Sequence, residues 1–96
     1  MALLSEAEII QKMMIVKTWK RKGNSLSLDH RLKDFVCAMG FVQSVAILAE
    51  KADHHPDITI RWNAVTLELT SHSEGGLTEK DFLLATQINS LIVSTV

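Results

Sequence analysis

The side chains best suited to moving protons fall in one ordered set: Asp53-His54-His55-Pro56, then His72, then Asp81. An imidazole titrates closest to neutrality of all side chains, so histidines gathered in one cleft can donate and accept protons within a single turnover. Consecutive residues on an α-helix diverge by about 100°, so His54 and His55 can share a site only where a helix ends. Pro56 disfavours helical geometry at His55 and so predicts an end there. The same facts have plainer readings. A helix C-terminus presents free carbonyls that a histidine can cap, whatever else it does. His72 suits a solvated strand end, and Asp81, three residues after Thr78, suits a capping box. His30 falls at an otherwise apolar strand position and reads as a half-buried packing residue, as do Trp19 and Trp62.

Three histidines and an aspartate are also enough ligands for a catalytic zinc. His-His-Pro is not the i, i+4 arrangement of a helical zinc pair, however, and the spacing matches none of the usual ligand patterns. No metal site and no organic cofactor are therefore expected.

The whole chain bounds what these residues can serve. Its 96 residues suffice for one domain, spanning 1–96, with a single core. A net charge of −1 with dispersed Lys and Arg leaves no basic face, which argues against direct nucleic-acid or acidic-membrane binding. Cys37, the lone cysteine, has no partner for an internal disulfide and fits a reducing compartment. MALLSEAEIIQKMMIV carries Glu6 and Glu8 within what would have to be a leader, and no apolar run of membrane-spanning length stands out. A cytoplasmic protein with no membrane partner is the expectation.

Periodicity supplies the scaffold. Ser5 and Glu8 form a capping-box pattern, and Ile9, Ile10, Met13 and Met14 then repeat at helical spacing. Lys17–Lys20 and Leu26–Leu32 are predicted as strands joined through Lys22-Gly23-Asn24-Ser25, the second alternating Leu26, Leu28, His30 and Leu32. Asp34 to Asp53 reads as a long helix with two adjoining apolar stripes, Phe35-Met39-Val42-Ala46-Ala49 and Ala38-Phe41-Val45-Leu48. Ile58, Ile60 and Trp62, then Val65, Leu67 and Leu69, alternate as two strands around Asn63-Ala64. Thr78 caps a last helix whose apolar face is Phe82, Ala85, Ile88 and Leu91 or Ile92. The order α-β-β-α-β-β-α predicts an α+β fold, an antiparallel sheet of about four strands with helices on one face.

In order along the chain, LKDFVCAMGFVQSVAILAEKADHHP, DHHPDITIRW, LTSH and GGLTEKD resemble the pterin-4a-carbinolamine dehydratase family, over residues Trp19 to Ile92. The resemblance implies removal of water from a 4a-hydroxytetrahydropterin to give the quinonoid dihydropterin, without metal or cofactor. It implies that His54, His55 and His72 line the pterin pocket and share acid/base and binding work, and that Asp81 orients or charge-stabilises a histidine. Glu50, Asp53 and Trp19 match family positions beside the substrate. Two departures, Trp62 where tyrosine is common and Ser71 in place of a frequent threonine, remove no proton-transfer group. Family members also serve as dimerisation cofactors of a homeodomain transcription factor, and related proteins as assembly factors for a large enzyme. The resemblance therefore implies a homodimer or homotetramer, with a protein-binding role as the alternative to catalysis.

Overall fold

A computed structural model describes residues 2–94. The elements are α1 (Glu6–Met13), β1 (Lys20–Lys22), β2 (Ser25–Arg31), α2 (Phe35–Ala52), β3 (Asp57–Arg61), β4 (Ala64–Leu69) and α3 (Glu79–Ser94). The strands form one antiparallel sheet in the order β1-β2-β4-β3, the α+β arrangement that the periodicity predicts. Its central pair, β2 with β4, is not a hairpin. It sets Leu26 opposite Leu69 and Leu28 opposite Leu67, and His30 opposite Val65. Those leucines and Val65 are buried against Ala38, Phe41, Val45 and Ala49 of α2 and Phe82, Ala85 and Ile88 of α3. Ile9 of α1 joins the same core.

Local chemistry fixes the ends of these elements. Ser5 and Glu8 complete a reciprocal capping box on α1. Arg21 of β1 then grips Glu6 with both terminal nitrogens at 2.7 Å, which lowers the Glu6 pKa and ties the first helix to the edge strand. The hairpin between β1 and β2 turns on Gly23 and Asn24, where Gly23 takes φ +58°, a conformation glycine adopts at no steric cost. Asp34 caps α2 by accepting the Cys37 N–H at 2.8 Å.

Three expectations change. The first strand lies at Lys20–Lys22, not Lys17–Lys20, because Trp19 N–H is already spent on the Val16 carbonyl in a turn that drops the indole into the core. Of the two stripes on α2, the one through Ala38, Phe41 and Val45 is buried, whereas Phe35 and Met39 stay 51% and 44% exposed. The other stripe looks outward only at its start, since its Ala49 is buried and its Val42 packs against the core. Lastly, α2 is by length and composition long and apolar enough to cross a membrane, with 18 residues and mean hydropathy 1.4. It is nonetheless packed on the sheet and α3 through its buried stripe.

His30 ends the core face of β2. Its ring lies 4.9 Å from that of Phe41, and its Nε2 is sealed from solvent with no hydrogen-bond partner among the described residues. Burial holds its pKa below the usual histidine value. The folded protein thus resists a proton that the unfolded chain accepts near pH ~6.5, so this residue withdraws stability as pH falls through that value. His30→Phe is expected to lessen the acid-induced loss, its urea midpoint dropping less than the wild type's between about pH 7.5 and 5.

Candidate active site

The long helix does not run into Pro56. It stops at Asp53, which adopts the left-handed conformation (φ 50°, ψ 44°). Asp53 N–H then reaches the Glu50 carbonyl and His54 N–H the Ala49 carbonyl, at 3.2 and 3.1 Å. This is the Schellman pattern, with aspartate in the place glycine usually takes. Pro56 follows as a second barrier and starts the chain into β3. Both histidines lie in the short non-helical link between Asp53 and β3, which frees their rings from the ~100° divergence of a helix.

His54 turns inward. Its Nε2 lies 2.6 Å from Oδ1 of Asp81, a carboxylate with no exposed surface. The other oxygen, Oδ2, accepts the Ser71 hydroxyl and the Thr78 backbone N–H, each at 2.9 Å. With the Ser71 proton committed there, the hydroxyl contact between Ser71 and Thr78 at 2.8 Å must be donated by Thr78. Thr78 Oγ1 in turn accepts the Lys80 N–H, so Thr78 and Asp81 form a reciprocal cap on α3. The capping and site readings of Asp81 are thus compatible, since its two oxygens face different partners. Because Oδ1 can only accept, His54 Nε2 carries the hydrogen, and Nδ1 is the lone-pair nitrogen when the ring is neutral.

His55 faces outward, its Nε2 against Glu50 one turn back on α2, with both side chains more than half exposed. His72 lies beyond β4 in the turn that Ser71 and Gly76 close by mutual pairing; it is exposed and makes no side-chain hydrogen bond among the described residues. A cavity of about 290 Å³ brings the three imidazoles together. Asp53, Thr70 and Ser71 form part of its wall, and Ser73, Glu74 and Lys80 the rest. The structure therefore gathers His54, His55, His72 and Asp53 around one space, with Asp81 directly behind His54 and Glu50 behind His55.

Trp19 is not part of this wall. It is 2% exposed, and its indole N–H donates to Asn89 Oδ1 at 2.8 Å, eight residues or ~12 Å along α3 from Asp81. Trp62 departs from the packing expectation: it is 67% exposed, at the far end of β3 from the histidines. A larger, mainly apolar cavity of about 690 Å³ opens between the start of α2 and the end of α3, around Phe41, Leu91 and Ile92. His30 is its sole imidazole, so it lacks the paired acid/base groups of the smaller one. Among the described residues no three His, Cys, Asp or Glu side chains are grouped to hold a metal ion.

The sequence model of the family described as pterin 4 alpha carbinolamine dehydratase matches residues 2–91. The chain belongs to that family. A relative from Roseiflexus sp., provisionally named pterin-4-alpha-carbinolamine dehydratase, is 52% identical over 93% of this chain and 96% of its own. One from Sulfolobus acidocaldarius, named in the same provisional way, is 41% identical over 92% and 97%. Among solved structures, a transcriptional coactivator/pterin dehydratase from Brucella melitensis superposes with a TM-score of 0.88 at 33% identity, over 92% of this chain and 96% of that one. A pterin dehydratase-like RuBisCO assembly factor of the alpha-carboxysome, 20% identical, shares the fold with a TM-score of 0.64 over 76% and 84% of the two chains.

Around this cavity, sequence reading missed Lys80 and the depth of the hydroxyl network. Lys80 gave no signal beyond its place before Asp81, and a lysine at the second position of a helix reads as a solvated charge. Ser71 was visible only as a substitute for threonine, but it is 3% exposed and donates to Asp81. Ser71→Ala leaves a buried carboxylate short of one donor and is expected to cost about 1–3 kcal/mol. Ser71→Thr restores the hydroxyl and should recover most of that loss in urea unfolding.

Proposed function

We propose that the chain dehydrates a 4a-hydroxytetrahydropterin to the quinonoid dihydropterin and water, in recycling of a tetrahydropterin cofactor. The observation that carries this reading is the convergence of His54, His55 and His72 on one cavity, with a buried carboxylate fixing the tautomer of His54. The reaction needs a proton delivered to the departing 4a-hydroxyl and a proton removed from a ring nitrogen. The C–O electron pair then leaves with the water. His54 and His55 are each held through Nε2, which leaves Nδ1 to accept a proton, and the carboxylates behind them stabilise the imidazolium that results. His72, tied through neither nitrogen, can carry a proton on either side and turn with the substrate. Asp81 acts through His54 as a positioning residue. The protein's own groups suffice for both transfers.

The test is dehydration of enzymatically generated 4a-hydroxytetrahydropterin followed over the buffer rate. Replacing His54 or His72 by alanine is expected to lower kcat/KM by about 10²-fold or more, the usual scale of a lost acid/base group. A wild-type rate equal to buffer would sink the enzyme reading.

A second role rests on a separate observation. The outward side of α2 is apolar: Val36 is 78% exposed and Ile47 60%, with Phe35 and Met39 beside them. Gly40 lies between, and a methyl group built on it would meet open space. We infer that a second copy of the chain covers this strip, helix against helix, giving a homodimer or homotetramer, and that a protein partner could use the same face. The names of the Brucella and carboxysome proteins support partner binding as a use of this fold. Val36→Asp together with Ile47→Asp is expected to shift the sedimenting species toward the monomer. A wild type that sediments as a monomer throughout would refute the inference.

A further inference from the structure

Two arginines lie outside the proton chemistry. Strand register places Arg31 of β2 and Arg61 of β3 on either side of Ala64 in β4. All three are on the sheet face away from the helices, since their strand neighbours His30, Ile60 and Val65 share the core face. Adjacent strands lie about 4.8 Å apart, so the two arginine backbones stand ~10 Å from each other with a single methyl group between. A cavity of about 300 Å³ opens there, with Arg31, Arg61, Ala64, Thr66 and Asp29 in its wall.

The charges in this wall are not mutually satisfied. Among the described residues neither guanidinium has a carboxylate within 4.0 Å. Arg31 donates one N–H to the neutral Asn63 Oδ1 at 3.1 Å, and among the described residues Arg61 makes no side-chain hydrogen bond. Asp29 is engaged by the Thr66 hydroxyl at 2.7 Å. One net positive charge is left over, suited to a single anionic group and not to a polyphosphate.

The adjoining turn supplies an independent observation. Trp62 is the first residue of the two-residue turn between the paired Arg61 and Ala64, where hairpin geometry calls for its positive φ of +52°, and its indole is 67% exposed. Asn63 holds the turn from behind: its amide donates to the Leu32 carbonyl at 2.9 Å, and its own carbonyl accepts the Leu32 N–H at 2.8 Å. An exposed indole offers a planar surface on which another ring can stack.

We propose that Arg31, Arg61 and Trp62 form a second binding site, for a phosphate monoester carried on a planar aromatic ring. Two guanidinium forks can share the three terminal oxygens of a phosphate, which makes it a better fit than a carboxylate with two. The site lies at the opposite end of β3 from the histidines, so it can be occupied while the catalytic cavity works.

Calorimetric titration with phenyl phosphate, accompanied by amide shift mapping, tests this. Saturable binding is expected, with the largest shifts at Arg61, Trp62 and Ala64, competition by inorganic phosphate, and weaker binding of benzoate. Arg61→Gln should weaken affinity about tenfold or more, and Ala64→Glu, which sets a carboxylate between the guanidiniums, should abolish it. The amide spectra of these variants report whether they fold, and their dehydration rate should equal the wild type's, so failure here leaves the histidine reading untouched. Absence of saturable binding, shifts centred on His54, His55 and His72, or unchanged affinity in both variants would overturn the proposal.

Discussion

Asp81 is a carboxylate taken wholly out of water, and a charge in that position must be answered on every side or the fold loses several kcal/mol. Three parts of the chain supply the answer: the end of α2 through His54, the turn after β4 through Ser71, and the start of α3 through Thr78. The last two follow each other along the chain, but the end of α2 is brought to them from 17 or more residues away. The ion pair and its hydroxyl network therefore do for the polar end of the molecule what the leucines of β2 and β4 do for its centre. The same carboxylate caps a helix, closes a turn and sets a tautomer, so the geometry of the cavity cannot vary independently of the packing of α3. This explains why the inward histidine is rigidly held while His55, whose partner Glu50 is exposed, faces solvent.

A second constraint acts one residue upstream. By entering the left-handed region, Asp53 ends α2 before Pro56 could, and it gives His54 and His55 different directions. Aspartate tolerates that conformation better than most residues, because its short side chain can bond locally. Had the helix continued to Pro56, His54 would point along the helix surface and could not reach α3. The local departure from helical geometry is thus coupled to the long-range pair with Asp81, the one making room for the other.

Much of this was legible in the amino-acid order. Alternation in Val65, Leu67 and Leu69, the change of period after Asp34 and the capping signals at Ser5 and Thr78 are local, and local patterns survive into the fold. The gathering of His54, His55 and His72 followed from an ordered set of motifs, which no single motif would have supplied. The rest depends on tertiary contacts without sequence periodicity. Trp19 looked suited to a pocket, but its indole N–H found Asn89 in the core across 70 residues of chain. Which stripe of α2 faces the sheet could not be read from two equally apolar stripes. The buried line takes Ala38, Phe41 and Val45 from one stripe and Ala49 from the other, the small alanines letting the helix approach.

The two non-glycine residues with positive φ bracket β3, Asp53 just before it and Trp62 just after. They differ in what they explain. The conformation of Asp53 is accounted for by the helix end and by the histidines it directs. That of Trp62 follows from its place as the first residue of a two-residue hairpin turn, which a smaller polar residue would fill at lower cost. What fixes it is Asn63, buried and bonded to Leu32 and Arg31, so the turn is anchored to the end of β2. That anchor orients Arg31 as well, which means the turn and the unpaired arginine are parts of one arrangement. The end of the sheet opposite the histidines is therefore held as firmly as the end that carries them, with Arg31 and Arg61 fixed on either side of Ala64.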